Sequence, residues 1–133
     1  MPELITPAQK PFVIPGPLVP YTRMTRRQLQ SGKLTKQASR YLAFKDRVGF
    51  IFKEEFPGWE PYSIEIPLLL ELIVQHPYAM TRARRKYDIA NILKGIEDGL
   101  NKIAWSDDWQ VIHYNVRTLP GQESALVHIS PMN

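Results

Sequence analysis

The sequence predicts a single small α+β domain in which helices pack on a mixed sheet, with elements in the order βαβαββ. Two segments repeat their apolar residues at three and four positions, which is the helical period, while several shorter segments rich in branched and aromatic residues read as strands. The 133 residues match the usual size of one domain. A composition of 44% hydrophobic and 23% charged residues is that of an ordinary globular chain. Residues 1–133 are therefore expected to fold as one unit, with 1–11 as a loose, polar, proline-bearing lead-in.

The first strand is expected around Phe12–Ile14. It is followed by PGPLVPYTRMTRRQLQSGKLT, where three prolines and a run of basic residues predict a long loop rather than a regular element. A loop of that length in so small a domain is usually functional. From Lys36 to Glu55 the residues Tyr41, Phe44, Val48, Ile51 and Phe52 recur at helical spacing, and Phe56-Pro57-Gly58 ends that helix. Pro67 suits a strand start, so the apolar run from Leu68 to Gln75 reads as the second strand. After the basic turn TRARRK, the residues Ile89, Ile92, Leu93, Ile96, Leu100 and Ile103 gather on one side of a second helix. DDWQVIHYNVRTL and SALVHIS are two further strands, and the Pro120-Gly121 turn between them predicts a hairpin.

Composition also limits the chemistry. With no cysteine and three scattered histidines (His76, His113, His128), thiolate and zinc sites are excluded and any metal must sit on oxygen ligands. No apolar run approaches the ~18 residues that span a bilayer, so no membrane partner is expected. MPELITPAQKPF lacks the pattern of a signal peptide, and a cytoplasmic location is the expectation. The net charge is +4, and ten of the 17 basic residues lie in the first 53 positions against only Glu3 and Asp46. Such asymmetry suggests a polyanionic partner.

The segment from Arg82 to Val111 carries the chemistry. Asp88 stands at the entry of the second helix, Ala90, Asn91, Lys94, Glu97 and Asp98 lie away from its apolar stripe, and Asp107 and Asp108 follow one short connection later. Clustered carboxylates repel one another unless a cation compensates. A hard ion such as Mg²⁺ takes one or two carboxylates and shares its other positions with water and phosphate oxygens, which is the chemistry of phosphodiester hydrolysis. Each residue also has a plainer use: Asp88 as an N-cap, Lys94 and Asp98 as a surface ion pair, Asp107-Asp108 as a turn. Gly95 and Gly99 each cost a helix about 1 kcal/mol relative to alanine, so another element or a partner chain is expected to approach there.

Asp88-Ile89-Ala90-Asn91-Ile92-Leu93-Lys94, then Asp98-Gly99-Leu100, then Asp107-Asp108-Trp109-Gln110-Val111 resembles the signature of RusA-type Holliday junction resolvases. That signature is a D-[LI]-D-N-x-x-K core, a D-A-L step and a D-D-x-Q-[VI] close. Ile14, Gly16 and Pro20, with the arginines that follow, are similar to the family's opening. The resemblance implies a homodimeric, Mg²⁺-dependent endonuclease, with Mn²⁺ as a substitute, of a kind common in phages and prophages. Such an enzyme binds four-way DNA junctions and resolves them by paired symmetric nicks in recombination and repair. Position by position, it implies metal binding by Asp88 and Asp108, with Asp107 as neighbour, and an essential role for Lys94.

At Ala90 the family has its second metal-binding aspartate. A methyl group cannot ligate a cation, so the resemblance implies an inactivated variant that keeps its DNA-binding surface. Since the neighbouring positions are intact, an engineered change accounts for Ala90 better than drift in a prophage gene. The candidate phosphate contacts are Arg23, Arg26, Arg27, Lys33, Lys36 and Arg40, joined by Arg82, Arg84, Arg85 and Lys86. Arg47 extends this basic face along the first helix. Tyr21, Tyr78 and Tyr87 are candidates for base stacking, and Trp59, Trp105 and Trp109 are expected to serve packing. A C2 dimer suits a two-fold symmetric junction, through either the Leu68–Val74 strand or the Gly95/Gly99 face. A non-catalytic DNA-binding protein and a metal-dependent nuclease for other branched DNA remain the alternatives.

Overall fold

The oxygen of Thr35 accepts from the Ala38 backbone N–H at 3.0 Å and so starts the long helix at the residue the periodicity predicts. In the computed structural model, which describes residues 10–79 and 88–132, this helix is the second of three. The elements are β1 (Phe12–Pro15), α1 (Arg26–Ser31), α2 (Lys36–Glu55), β2 (Leu68–His76), α3 (Ile89–Leu100), β3 (Val111–Pro120) and β4 (Ser124–Pro131), with one 3-10 turn at Asp108–Gln110. The structure is a small α+β domain with a mixed four-stranded sheet. Among the described residues no helix is long and apolar enough to cross a membrane.

Two expectations need correction. The basic loop contains a helix, α1, which was legible as Thr25-x-x-Gln28 followed by Gly32. Thr25 N–H donates to Gln28 Oε1 at 2.8 Å, Gln28 N–H donates back to Thr25 Oγ1 at 3.1 Å, and Gly32 ends the turn at φ +71°. No residue of α1 is buried, so apolar periodicity could not announce it. The second correction concerns the hairpin. The sheet order is β1-β4-β2-β3, so β3 and β4 are not neighbours. β3 pairs parallel with β2, β4 pairs antiparallel with the other side of β2, and the connection crosses the end of β2, where Gly121 N–H donates to His76 O at 3.3 Å. The predominantly apolar β2 prefers a central place with a partner on each side, and a tight turn does not by itself decide pairing.

β2, α3 and β3 thus form a parallel strand–helix–strand unit, and α2 packs across α3 over the inner face of the sheet. That face buries Ile14, Leu70, Leu72, Val127 and Ile129 against Phe44, Val48 and Phe52 of α2 and Ile92, Ile96 and Leu100 of α3. Gly95 and Gly99 are explained within the chain. A Cβ on Gly99 would lie 2.8 Å from both Lys45 O and Val48 Cβ, and one on Gly95 would lie 3.2 Å from the Tyr41 ring. The two glycines let α2 and α3 approach closely, so this face is not available as a dimer interface. Gly16 has a similar reason, since a Cβ there would meet Glu123 O at 2.7 Å.

Candidate active site

α3 carries one polar stripe. Ala90, Lys94, Glu97 and Asp98 recur at helical spacing, so they stand above one another on the side away from Ile92, Ile96 and Leu100. At its lower end the stripe meets the turn after the helix. Trp105, fully buried, donates from Nε1 to Asp108 Oδ1 at 2.9 Å, which fixes that carboxylate against the domain.

Gln110 builds the turn. Its side chain is buried, accepts from the backbone N–H groups of Ser106 at 2.7 Å and Asp107 at 2.9 Å, and donates to the carbonyls of Ser63 at 2.8 Å and Ile66 at 3.0 Å. All four of its hydrogen-bonding positions are used. The glutamine of the D-D-x-Q step therefore acts as a clamp that places Asp107 and Asp108, a role its spacing alone did not disclose.

The resulting electrostatics are those of a crowded acidic site. Burial pushes the Asp108 carboxyl above the usual carboxylate range, opposed by the Trp105 hydrogen bond, raised further by Asp98 and Asp107, and lowered by Lys94. Burial likewise raises Glu97, whose carboxylate accepts a hydrogen bond from the Tyr114 hydroxyl, with Asp108 and Asp98 adding to the rise. The Tyr41 hydroxyl donates to Asp98 Oδ2 at 2.5 Å, and burial together with that carboxylate holds the phenol well above its ordinary value. Lys94 Nζ lies 3.7 Å from Asp98 Oδ1 and 4.7 Å from the centroid of the Tyr21 ring. Tyr41 and Tyr114 are members of this group that sequence reasoning missed, while the sequence places Glu97 and Asp98 on the polar side of the helix, Asp98 also within the signature, without a role. The available signal was the four-residue step from Lys94 to Asp98, which reads first as a surface ion pair.

The upper end of α3 is different. Asp88 is an N-cap: Oδ1 accepts from Asn91 N–H at 3.1 Å and Oδ2 from Asn91 Nδ2 at 2.8 Å. Asp88 and Ala90 are both exposed. Ten residues separate Asp88 from Asp98, about 15 Å along the helix axis. The structure thus brings together Lys94, Asp98, Asp107 and Asp108, and sets Asp88 and Ala90 at the solvent end of the same helix. Among the described residues no group of three or more acidic or histidine side chains is arranged to hold a metal ion. The carboxylates of the stripe and the turn offer oxygen donors, the kind a hard cation requires, and position 90 offers a methyl group.

Of the predicted phosphate contacts, Arg23, Arg26, Arg27, Lys33, Lys36 and Arg40 are all exposed, on α1, on its flanks and on the first turns of α2. Arg82, Arg84, Arg85, Lys86 and Tyr87 lie outside the described residues. Tyr21 is half-buried, edge-on to Tyr41 with ring centroids 5.2 Å apart, and Tyr78 is exposed. The packing role holds for Trp105 and for Trp59, which sits among Phe52, Phe56 and Tyr62. It does not hold for Trp109, which is 66% exposed beside Asp108, because the clamp by Gln110 turns the residue between them outward.

None of the curated proteins compared matches the chain. The model of the family described as Endodeoxyribonuclease RusA matches residues 15–130, which include every element of the site just described.

Proposed function

The chain belongs to the RusA endodeoxyribonuclease family, and from that premise we propose that it binds four-way DNA junctions and, with alanine at position 90, holds them far better than it cuts them. The observation that carries this reading is the pairing of an intact lower site with a methyl group at its exposed end. Asp108 is fixed by Trp105 and Gln110 beside the Lys94–Asp98 pair, while Ala90 occupies the same stripe of α3 one turn above Lys94.

In the proposed mechanism the basic surface of α1 and the start of α2 meets the DNA backbone. Contacts of this kind tolerate any sequence and suit recognition of branch geometry. Asp108 would take one coordination position of Mg²⁺ or Mn²⁺, which when bound activates water and neutralises charge on the scissile phosphate, and an aspartate at position 90 would supply a second, while Asp88 caps the exposed end of α3. Lys94 contributes a positive charge to the leaving phosphate oxygen, and Asp98 with Tyr21 holds the ammonium in place for that task. Asp107 positions its neighbour through the clamped turn. Two such sites in a C2 homodimer would make paired nicks across a symmetric junction, in recombination or repair within the cytoplasm of a bacterial or phage-infected cell. The test compares affinity for four-way, three-way and linear DNA at one stated salt concentration. Tightest binding to the four-way junction is expected, and a preference for linear duplex would refute the assignment.

A further inference from the structure

Away from the acidic stripe, a groove of about 630 Å³ runs between the loop after β1 and the outer side of α2. Its floor is Leu18 and Phe44, and its walls include Pro20 and Ala43, so the surface is predominantly apolar. Two guanidinium groups, Arg40 and Arg47, line it, and no acidic residue does. Arg47 is held in place: Nη2 donates to Pro17 O at 2.6 Å, and its guanidinium carbon lies 5.5 Å from the centroid of the Phe44 ring. A guanidinium pinned at one end keeps its remaining N–H groups and a flat face for a ligand.

The groove also has a suggestive neighbour. Pro20, in its wall, is followed directly by Tyr21, whose backbone N–H donates to Asn91 O at 2.9 Å and whose ring faces the Lys94 ammonium. One short stretch of backbone thus borders the groove on one side and the lysine of the candidate active site on the other.

We propose that this groove receives an unpaired nucleobase of branched DNA, packed on Pro17, Pro20 and Ala43 and on the face of the Arg47 guanidinium turned away from Phe44, with a flanking phosphate held by Arg40. The inference rests on the DNA-junction reading and deepens it. An apolar slot of several hundred Å³ is large enough for a planar base, and bases bind proteins by stacking on aromatic rings or guanidinium planes. Arg40 supplies the charge complement of a phosphate beside that base. A branch point offers bases freed from pairing at little cost, whereas continuous duplex does not. The groove would therefore add selectivity for branched over linear DNA, a property that phosphate contacts alone supply weakly.

The test uses the full chain and a four-way junction with single 5-iodouracil bases at the crossover. On irradiation the cross-link is expected in the peptides carrying Pro17–Tyr21 or Phe44. Ala43→Trp, which fills the groove from an exposed helix position, is expected to abolish that cross-link and to weaken junction binding roughly tenfold or more while leaving linear duplex binding unchanged. Gln37→Trp, which fills the groove from another exposed position of α2, serves as the second variant should Ala43→Trp disturb folding, and a several-fold weakening for the junction alone with reduced cross-linking is expected. A cross-link elsewhere, an undiminished cross-link in both variants, or an equal loss for junction and duplex would overturn the proposal. The same base in a single-stranded oligonucleotide separates the two readings. Cross-linking at the groove without junction preference would reject the junction assignment and retain the base site, while junction preference without it would do the reverse.

Discussion

The two ends of α3 differ in how firmly they are built. At the lower end, Asp108 is tied to Trp105, its turn is clamped by Gln110, Asp98 is tied to Tyr41, and Glu97 is tied to Tyr114. At the upper end, Asp88 caps the helix in the open and Ala90 offers the solvent a methyl group. The half-buried lower end places charge with side chains that are themselves buried in the domain or clamp its backbone. The exposed upper end is held by a helix cap alone. A methyl group at position 90 therefore leaves the scaffold of the lower end in place.

The sharpest way to break this contrast is to remove Lys94 from an Ala90→Asp background. Lys94→Ala is expected to lower junction cleavage by at least about a hundredfold, with the affinity for uncut junction changed only slightly, as for a charge that acts mainly in the transition state. Gel-based single-turnover cleavage and binding measure the two halves separately. Equal losses in both would reduce Lys94 to a DNA contact.

A smaller effect is expected from the clamp. Gln110→Ala strands two backbone N–H groups and two carbonyls in a buried turn, a loss of about 2–4 kcal/mol, which lowers Tm by roughly 5–15 °C. The account also requires this variant to lose cleavage in the Ala90→Asp background at temperatures where it remains folded. A folded variant with unchanged cleavage would show that the turn does not position Asp108.

The smallest effect is a pH dependence. Glu97 is raised, so the folded protein holds its proton to higher pH than the unfolded chain, and the charged form weakens the fold as pH rises from the ordinary glutamate range through the raised value. Glu97→Gln keeps an acceptor for Tyr114 and removes that charge. Its Tm is expected to exceed the parent's by a few degrees near pH 7–8, with the gap closing near pH 4. A gap that stays constant across that range would remove the electrostatic explanation.

The same contrast explains what could be read from the sequence. α2 matched its predicted bounds, Lys36–Glu55, because its apolar residues repeat at helical spacing and the Phe-Pro-Gly stop is strong. β2 was legible because it is rich in branched apolar residues and follows Pro67. The hairpin was not, because strand order depends on which edge β4 finds after crossing β2, and turn residues carry no information about that. Motif residues Lys94 and Asp108 were legible as a spacing. Tyr41 lies 57 residues from Asp98 and Tyr114 lies 17 from Glu97, and pairs so far apart leave no periodic trace. Trp109 was misread as packing because aromatic residues are buried more often than not, while its exposure follows from the Gln110 clamp beside it.

On the proposed reading, a complete scaffold lacks one carboxylate. The direct measurement is single-turnover cleavage of a four-way junction by the Ala90→Asp variant beside the parent chain, at equal Mg²⁺ and salt. Groups that only hydrogen-bond to a metal's ligands already matter by about 10–100-fold, so restoring a direct ligand is expected to raise the rate by at least about a hundredfold, with junction affinity little changed. No gain of cleavage by a variant that folds and binds the junction would contradict the account.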